Sequence, residues 1–270
     1  MRPNITVKEI RKMGQRMIDI LGLEGSPIGV RLLAANEGVP KGAEVLEHHR
    51  YCQALMKARR QLDVLLTDDN ISCPAAASAF GFRPLPEMLK SGKGLVGFGI
   101  VSDPEVAVKM FEGMTRLEPG AIKQLHLFPL EGAEYVPDIV VVEDKPEKLM
   151  WIMLSYMHAM NGQRVPGSSA VLQATCVDST IIPYLENRLN YGYGCYGCRD
   201  ATDLGESETA IGFPAEFLPA IVGHLEYLNK KAIPGSRSKN AFNALMKADV
   251  NRIKACGCQT GAPEIGFNKK

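Results

Sequence analysis

The chain has 270 residues, 46% of them hydrophobic, and 31 Lys plus Arg against 30 Asp plus Glu leave a net charge of +1. That is enough apolar material for a sizeable core in one large domain or two small ones, and disorder is not expected. The balanced charge disfavours nucleic acid and membrane surfaces as partners, no stretch approaches the ~20 apolar residues of a membrane span, and Met1-Arg2-Pro3-Asn4 does not begin an export signal, so a cytoplasmic protein is expected.

Thr6-Val7-Lys8-Glu9 fits a capping box, and Ile10, Met13, Met17, Ile18 and Leu21 then recur at helical spacing until Gly22. Ile28 to Leu33, rich in β-branched and aliphatic residues, suits a strand. From Glu44 to Leu62 the residues Leu46, Cys52, Leu55, Met56, Arg59 and Leu62 fall close to one helical stripe, which turns Cys52 inward. A short apolar run follows at 63–69. Pro74 is suited to the first position of a small-residue helix over 75–80, with Ser72 or Cys73 near its N-cap, where the helix dipole favours a thiolate.

Leu95 to Val101 and Asp138 to Glu143 are apolar runs, each followed by an acidic residue, a proline and a helical pattern. A looser unit runs from Thr209 through Pro214 into Phe217 and Leu218. Repeated strand–Pro–helix units predict an α/β (or α+β) layered fold whose strand order the sequence does not fix. Ser168 to Val177 reads as a strand delivering Cys176 at its carboxyl end, where ligands collect in open α/β sheets, and Ile181 to Leu189 as a short helix. The organisation expected is a single domain over 1–228, then a linker and a C-terminal helical tail over 229–270.

Seven cysteines in a chain of this size make a disulfide framework the poorer explanation and metal ligation or redox chemistry the better one. Tyr191-Gly192-Tyr193-Gly194-Cys195-Tyr196-Gly197-Cys198-Arg199 is the focus. Two thiols at this spacing can turn toward one centre, while glycines let peptide N–H groups approach sulfur. Cys73, Cys176, Cys195 and Cys198 make a set of four; Cys52 reads first as a core thiol. One doublet with two remote cysteines tilts the choice from zinc, which usually pairs two doublets, toward an iron–sulfur cluster. Gly194 and Gly197 are the candidates for hydrogen bonds to cluster sulfur and Arg199 for offsetting its charge, against a surface ion pair with Asp200 or Asp203. Cys256 and Cys258 rank lower. The histidines show no metal-binding spacing, the glycines at 92–99 give only a weak phosphate signal, and neither a Walker motif nor a nucleophile elbow occurs.

Ser26-Pro27-Ile28-Gly29-Val30, Tyr51-Cys52-Gln53-Ala54-Leu55 with Ala58-Arg59, Ser72-Cys73-Pro74-Ala75-Ala76, and Tyr193 to Arg199 with Thr202-Asp203 and Glu208 together resemble domain-of-unknown-function family 169, a set of prokaryotic proteins. The likeness spans about Pro3 to Leu228. It implies a cysteine-bearing cytoplasmic protein and adds weight to Cys52, Cys73, Cys176 and Cys195. Many members carry Asn where this chain has Cys198, which raises Cys52 as its substitute.

Three functions follow as expectations. The first is a [4Fe–4S] protein in electron transfer or cluster chemistry, an oxidoreductase or redox accessory whose partner is a redox protein or a small-molecule substrate; a homo-oligomer is compatible with it. The second is a zinc-stabilised binding module without enzymatic activity. The third is a thiol–disulfide oxidoreductase using Cys195 and Cys198, disfavoured because the pair arrives only at residue 195, inside a glycine-aromatic loop with no clear helix starting at Cys198.

Overall fold

The computed structural model describes residues 5–38 and 40–238. In chain order the elements are α1 Val7–Leu21, β1 Ile28–Leu33, β2 Glu44–Val45, α2 Tyr51–Arg59, β3 Val64–Thr67, α3 Pro74–Ala79, α4 Glu87–Lys90, α5 Lys93–Gly97, α6 Pro104–Glu112, β4 Gln124–Pro129 and β5 Ile139–Asp144. There follow α7 Pro146–Ala159, a π-helix Ala174–Ile181, α8 Ile182–Glu186, β6 Asn190–Gly192, α9 Tyr196–Ala201, β7 Thr209–Pro214, α10 Leu218–Lys230 and α11 Ala232–Ser238. The chain divides into two compact units, the first Met1–Val222 and the second beginning at Gly223.

The expected α/β character holds. Seven strands form one mixed sheet in the order β2-β3-β4-β1-β5-β7-β6; β2 and β3 run parallel and the other neighbours antiparallel. Strand alternation divides the sheet into two faces. Ile28, Val30, Val64, Leu66, Leu125, Leu127, Ile139 and Val141 point to one side, where they form a core with α2, α3 and the π-helix. Helix α7 packs on β5 and β7.

Local chemistry accounts for the elements that were expected and found. The Thr6 hydroxyl accepts the Glu9 N–H while the Glu9 carboxylate accepts the Thr6 N–H, a closed capping box, and Gly22 ends α1 in the left-handed region at φ 62°. Pro74, Pro104 and Pro146 each open a helix, where the missing N–H costs nothing.

Four expectations are corrected. The helix foreseen over 44–62 begins only at Tyr51, because Glu44 and Leu46 donate instead to Asp63 and Leu65 of the neighbouring strand at 2.9 and 2.8 Å, and Leu62 is exposed. The strand foreseen over 95–101 is helical at its start: Phe98 and Ile100 donate to Gly94 and Leu95, and the backbone satisfies itself locally rather than in the sheet. Residues 168–177 do not form a strand. Cys176 lies near the start of the π-helix, whose i→i+5 bonding gives it a periodicity that neither strand nor α-helix patterns match. The expected linker at 229–236 is largely helical, with Pro234 in the first turn of α11, where its lack of an N–H is harmless. The expected helix over 239–255 and Cys256 and Cys258 lie outside the described residues.

The π-helix lies directly on the sheet. Gly212 and Gly192 are the reason: a Cβ on Gly212 would run into the Ser179 carbonyl, and one on Gly192 would come within 3.1 Å of the Ala174 carbonyl and the Asp178 side chain. Asn190 fixes the same layer, donating from Nδ2 to the Asp178 and Ser168 carbonyls at 2.8 Å each. Gly212→Ala should therefore cost ~1–3 kcal/mol through overpacking against backbone, which cannot rotate away; chemical denaturation midpoints check it, and an unchanged midpoint would refute the close approach.

Candidate functional site

Five cysteines are described, none in a disulfide, and all five gather on the face that carries the π-helix. Cys52 is in the first turn of α2, Cys73 is the N-cap of α3, and Cys176 is in the π-helix. Cys195 is the N-cap of α9, and Cys198 lies within that helix. Cys52, Cys176 and Cys198 are buried; Cys73 and Cys195 are half-buried. The sequence-predicted set thus comes together, with Cys52 as a full member.

The thiols feel one another. Burial pushes the Cys176 thiol well up, and Cys73 and Cys195 push the same way. Burial raises Cys195 too, with Cys198 adding to it. Cys52 and Cys198 form the tightest pair, packed with Met56 and Leu204 and sharing a hydrogen bond. That bond and burial hold the Cys52 thiol up, while the same bond, with Thr175, Thr202 and the Arg199 charge, draws the Cys198 thiol down. Thr202 Oγ1 is 3.6 Å from Cys198 Sγ. Cys195 Sγ accepts the Cys198 N–H at 3.2 Å and faces the Thr175 hydroxyl at 4.0 Å.

The supporting residues differ in part from expectation. The peptide N–H that reaches sulfur is that of Cys198, while Gly194 serves by its left-handed turn, φ 77°, and by the nearness of Leu204, which would crowd a Cβ there. The Gly197 carbonyl accepts from Arg50 Nη1 at 2.8 Å. Arg199 makes neither ion pair weighed for it. Its guanidinium donates to the carbonyls of Tyr193, Gly205 and Glu208 and so ties the loop around the cysteines while keeping its charge beside Cys198. The expectation that no helix starts near the doublet is also corrected, since Cys195 caps α9.

Several residues of the site were given no chemical role from sequence. Glu143, on β5, alternates with Ile139 and Val141 onto the cysteine face, is buried at 3% exposure, and neither carboxylate oxygen has a hydrogen-bond partner. Burial first, then the nearby Cys198, push its carboxyl up to about 8. The signal was present in the chain as one acid at an inward position of an apolar strand. Arg59 sits close by in a buried fork with Glu208, Nη1 donating to Oε2 at 3.1 Å and Nη2 to Oε1. Tyr51 bonds Thr180 of the π-helix at 2.7 Å with its hydroxyl wholly buried.

The donor set is soft and rich in sulfur, the chemistry that iron–sulfur clusters, zinc and copper(I) take. Among the described residues no three His, Cys, Asp or Glu side chains are grouped so as to hold a single metal ion.

Fold and site define a mixed α/β protein in which α2, α3, α9 and the π-helix carry five cysteines on one face of the sheet. The chain belongs to domain-of-unknown-function family 169, whose model, described as "Uncharacterised ArCR", matches residues 16–224. It is also similar to "Uncharacterized protein MJ0308" of Methanocaldococcus jannaschii, 28% identical over 227 residues that cover 83% of this chain and 97% of that protein. No solved structure matches. Among the described residues no helix is long and apolar enough to cross a membrane.

Proposed function

We propose that the chain holds an oxygen-sensitive iron–sulfur cluster, [4Fe–4S] in the simplest form, ligated by Cys73, Cys176, Cys195 and Cys198. The observation that carries this reading is the convergence of thiols from four separate segments of chain on one face of the sheet. Cys198 is preferred to Cys52 as fourth ligand because it shares α9 with Cys195 and has the Thr202 hydroxyl 3.6 Å from its sulfur. When bound, the cluster would supply one-electron chemistry, serving a redox partner protein or a small-molecule substrate. The chain's own residues would orient it: the Cys198 N–H and the Thr175 and Thr202 hydroxyls lie at sulfur, where such donors tune potential.

Ligation must displace protons, since Cys176 and Cys195 are held as thiols by burial. Cluster uptake should accordingly release protons and weaken as pH falls. Protein prepared and reconstituted under anoxia with iron and sulfide should be brown, with broad visible absorption that bleaches on reduction. Colourless, iron-free protein after that treatment overturns the proposal, and stoichiometric zinc in its place would favour the zinc-stabilised module.

A further inference from the structure

A second site lies away from the thiols. A cavity of about 560 Å³ opens between the turn after α3, helix α6 and the segment leading to β4. This is within the size range of small-molecule sites. Its walls are preformed: Gly81 and Gly120, both in the left-handed region, are joined by the Gly120 N–H to the Gly81 carbonyl at 2.9 Å, and Leu117 donates to the Ala79 carbonyl at 2.8 Å. A Cβ on Gly81 would collide with the Glu118 carbonyl, so the two strands of chain close on each other without side chains between them.

The lining is lopsided in charge. Arg83, Lys90, Arg116 and Lys123 face one carboxylate, Glu112, in a chain whose overall charge is only +1. Lys123 is neutralised by Asp68 at 2.9 Å. The others are not: Arg83 donates to the Ile71 carbonyl and Arg116 to the carbonyls of Phe111 and Met114, bonds to neutral groups that aim the guanidinium without cancelling its charge. Among the described residues Arg83, Lys90 and Arg116 form no ion pair. Beneath the cations the surface is apolar, from Phe82, Leu85, Phe111 and Leu117.

We propose that this cavity binds a small organic anion, a carboxylate or phosphate ester with a flat apolar body, the anionic end on Arg83 and Arg116 and the body against Phe82 and Phe111. Two arginines fixed by backbone carbonyls present planar forks that suit either oxyanion. An apolar floor adds affinity that a bare inorganic ion cannot use. The site stands apart from the cluster reading. Helix α3 is the partition, with Cys73 at its N-cap and Ser78 in the cavity wall, and Phe82 continues through Phe80, 6.0 Å away between ring centres, to Tyr51 at 4.8 Å.

Calorimetric titration of the full chain with phenyl phosphate, benzoate, inorganic phosphate and benzyl alcohol tests the proposal. One of the two aromatic anions should bind in the sub-millimolar range, and which one does so distinguishes phosphate ester from carboxylate; phosphate and benzyl alcohol should each bind about tenfold more weakly or worse. R83Q and R116Q should each weaken the preferred anion about tenfold, and Phe82→Leu severalfold, while circular dichroism and iron content stay at wild-type levels. Absence of binding by both aromatic anions, or binding indifferent to R83Q and R116Q, overturns it. Since iron content is scored in parallel, loss of this site and loss of the cluster reading give different results.

Discussion

Replacing Cys176 by Ser is expected to abolish cluster assembly, taking iron after anoxic reconstitution from about four per chain to a small residue. The same loss is expected for Cys73→Ser, Cys195→Ser and Cys198→Ser, because a serine hydroxyl is a hard, weakly acidic donor where a thiolate is needed. Cys52→Ser should behave differently. Its thiol packs against Cys198 and is pushed up by that neighbour and by burial, and a hydroxyl fits the same place, so iron should be retained with a changed reduction potential. Iron and acid-labile sulfide, measured with the visible spectrum for all five variants, check this; full iron in Cys176→Ser, or its loss in Cys52→Ser with retention in Cys198→Ser, would reassign the ligands.

The metal-free chain should lose stability as pH rises, and Glu143 should be the largest single reason. Its carboxyl titrates at about 8 in the fold against 4.5 as the ordinary value. Between those values the folded chain holds a proton that the unfolded chain has released. Stability therefore falls with pH across that window, is unaffected by this group below it, and carries the full cost above about pH 8. At 1.36 kcal/mol per pH unit the cost is on the order of 3–5 kcal/mol. Glu143→Gln keeps the shape and removes the charge. The variant should match the parent near pH 4 and exceed it by that amount near pH 9, read from denaturant midpoints at several pH values. Parallel curves for the two proteins would show that Glu143 finds a partner in solution.

Much of the fold was legible where local chemistry decides it. Thr6 and Glu9 announce α1, Pro104 and Pro146 the starts of α6 and α7, and the apolar runs at 28–33 and 138–143 and the unit opening at Thr209 the strands β1, β5 and β7. What was not legible depends on distant chain. Strand β4 lies between β1 and β3 through pairings with residues far away in sequence. The π-helix escapes because small and β-branched residues at 168–177 imitate a strand, and only the glycines of a separate strand, β7 among them, make room for a wide helix. The cysteines could be nominated from spacing and company. That Cys52 meets Cys198, 146 positions further on, required the two helices to be packed together.

The π-helix also sets how the chain can vary in length. Its wider turn accommodates one residue more than an α-helical turn of the same span. Deleting a single residue between Cys176 and Ile181 would let the segment tighten into an α-helical turn of the same span, with the chain on either side kept in phase. Cys176 and Thr175 would then keep their direction toward Cys195, while the narrower helix would lose part of its packing on the sheet. Residues 174–181 are wholly buried and anchored at both edges by Asn190 and by Tyr51. A frame-preserving codon loss here is thus felt as lost packing of a buried segment, whereas one in an exposed turn would be absorbed without it.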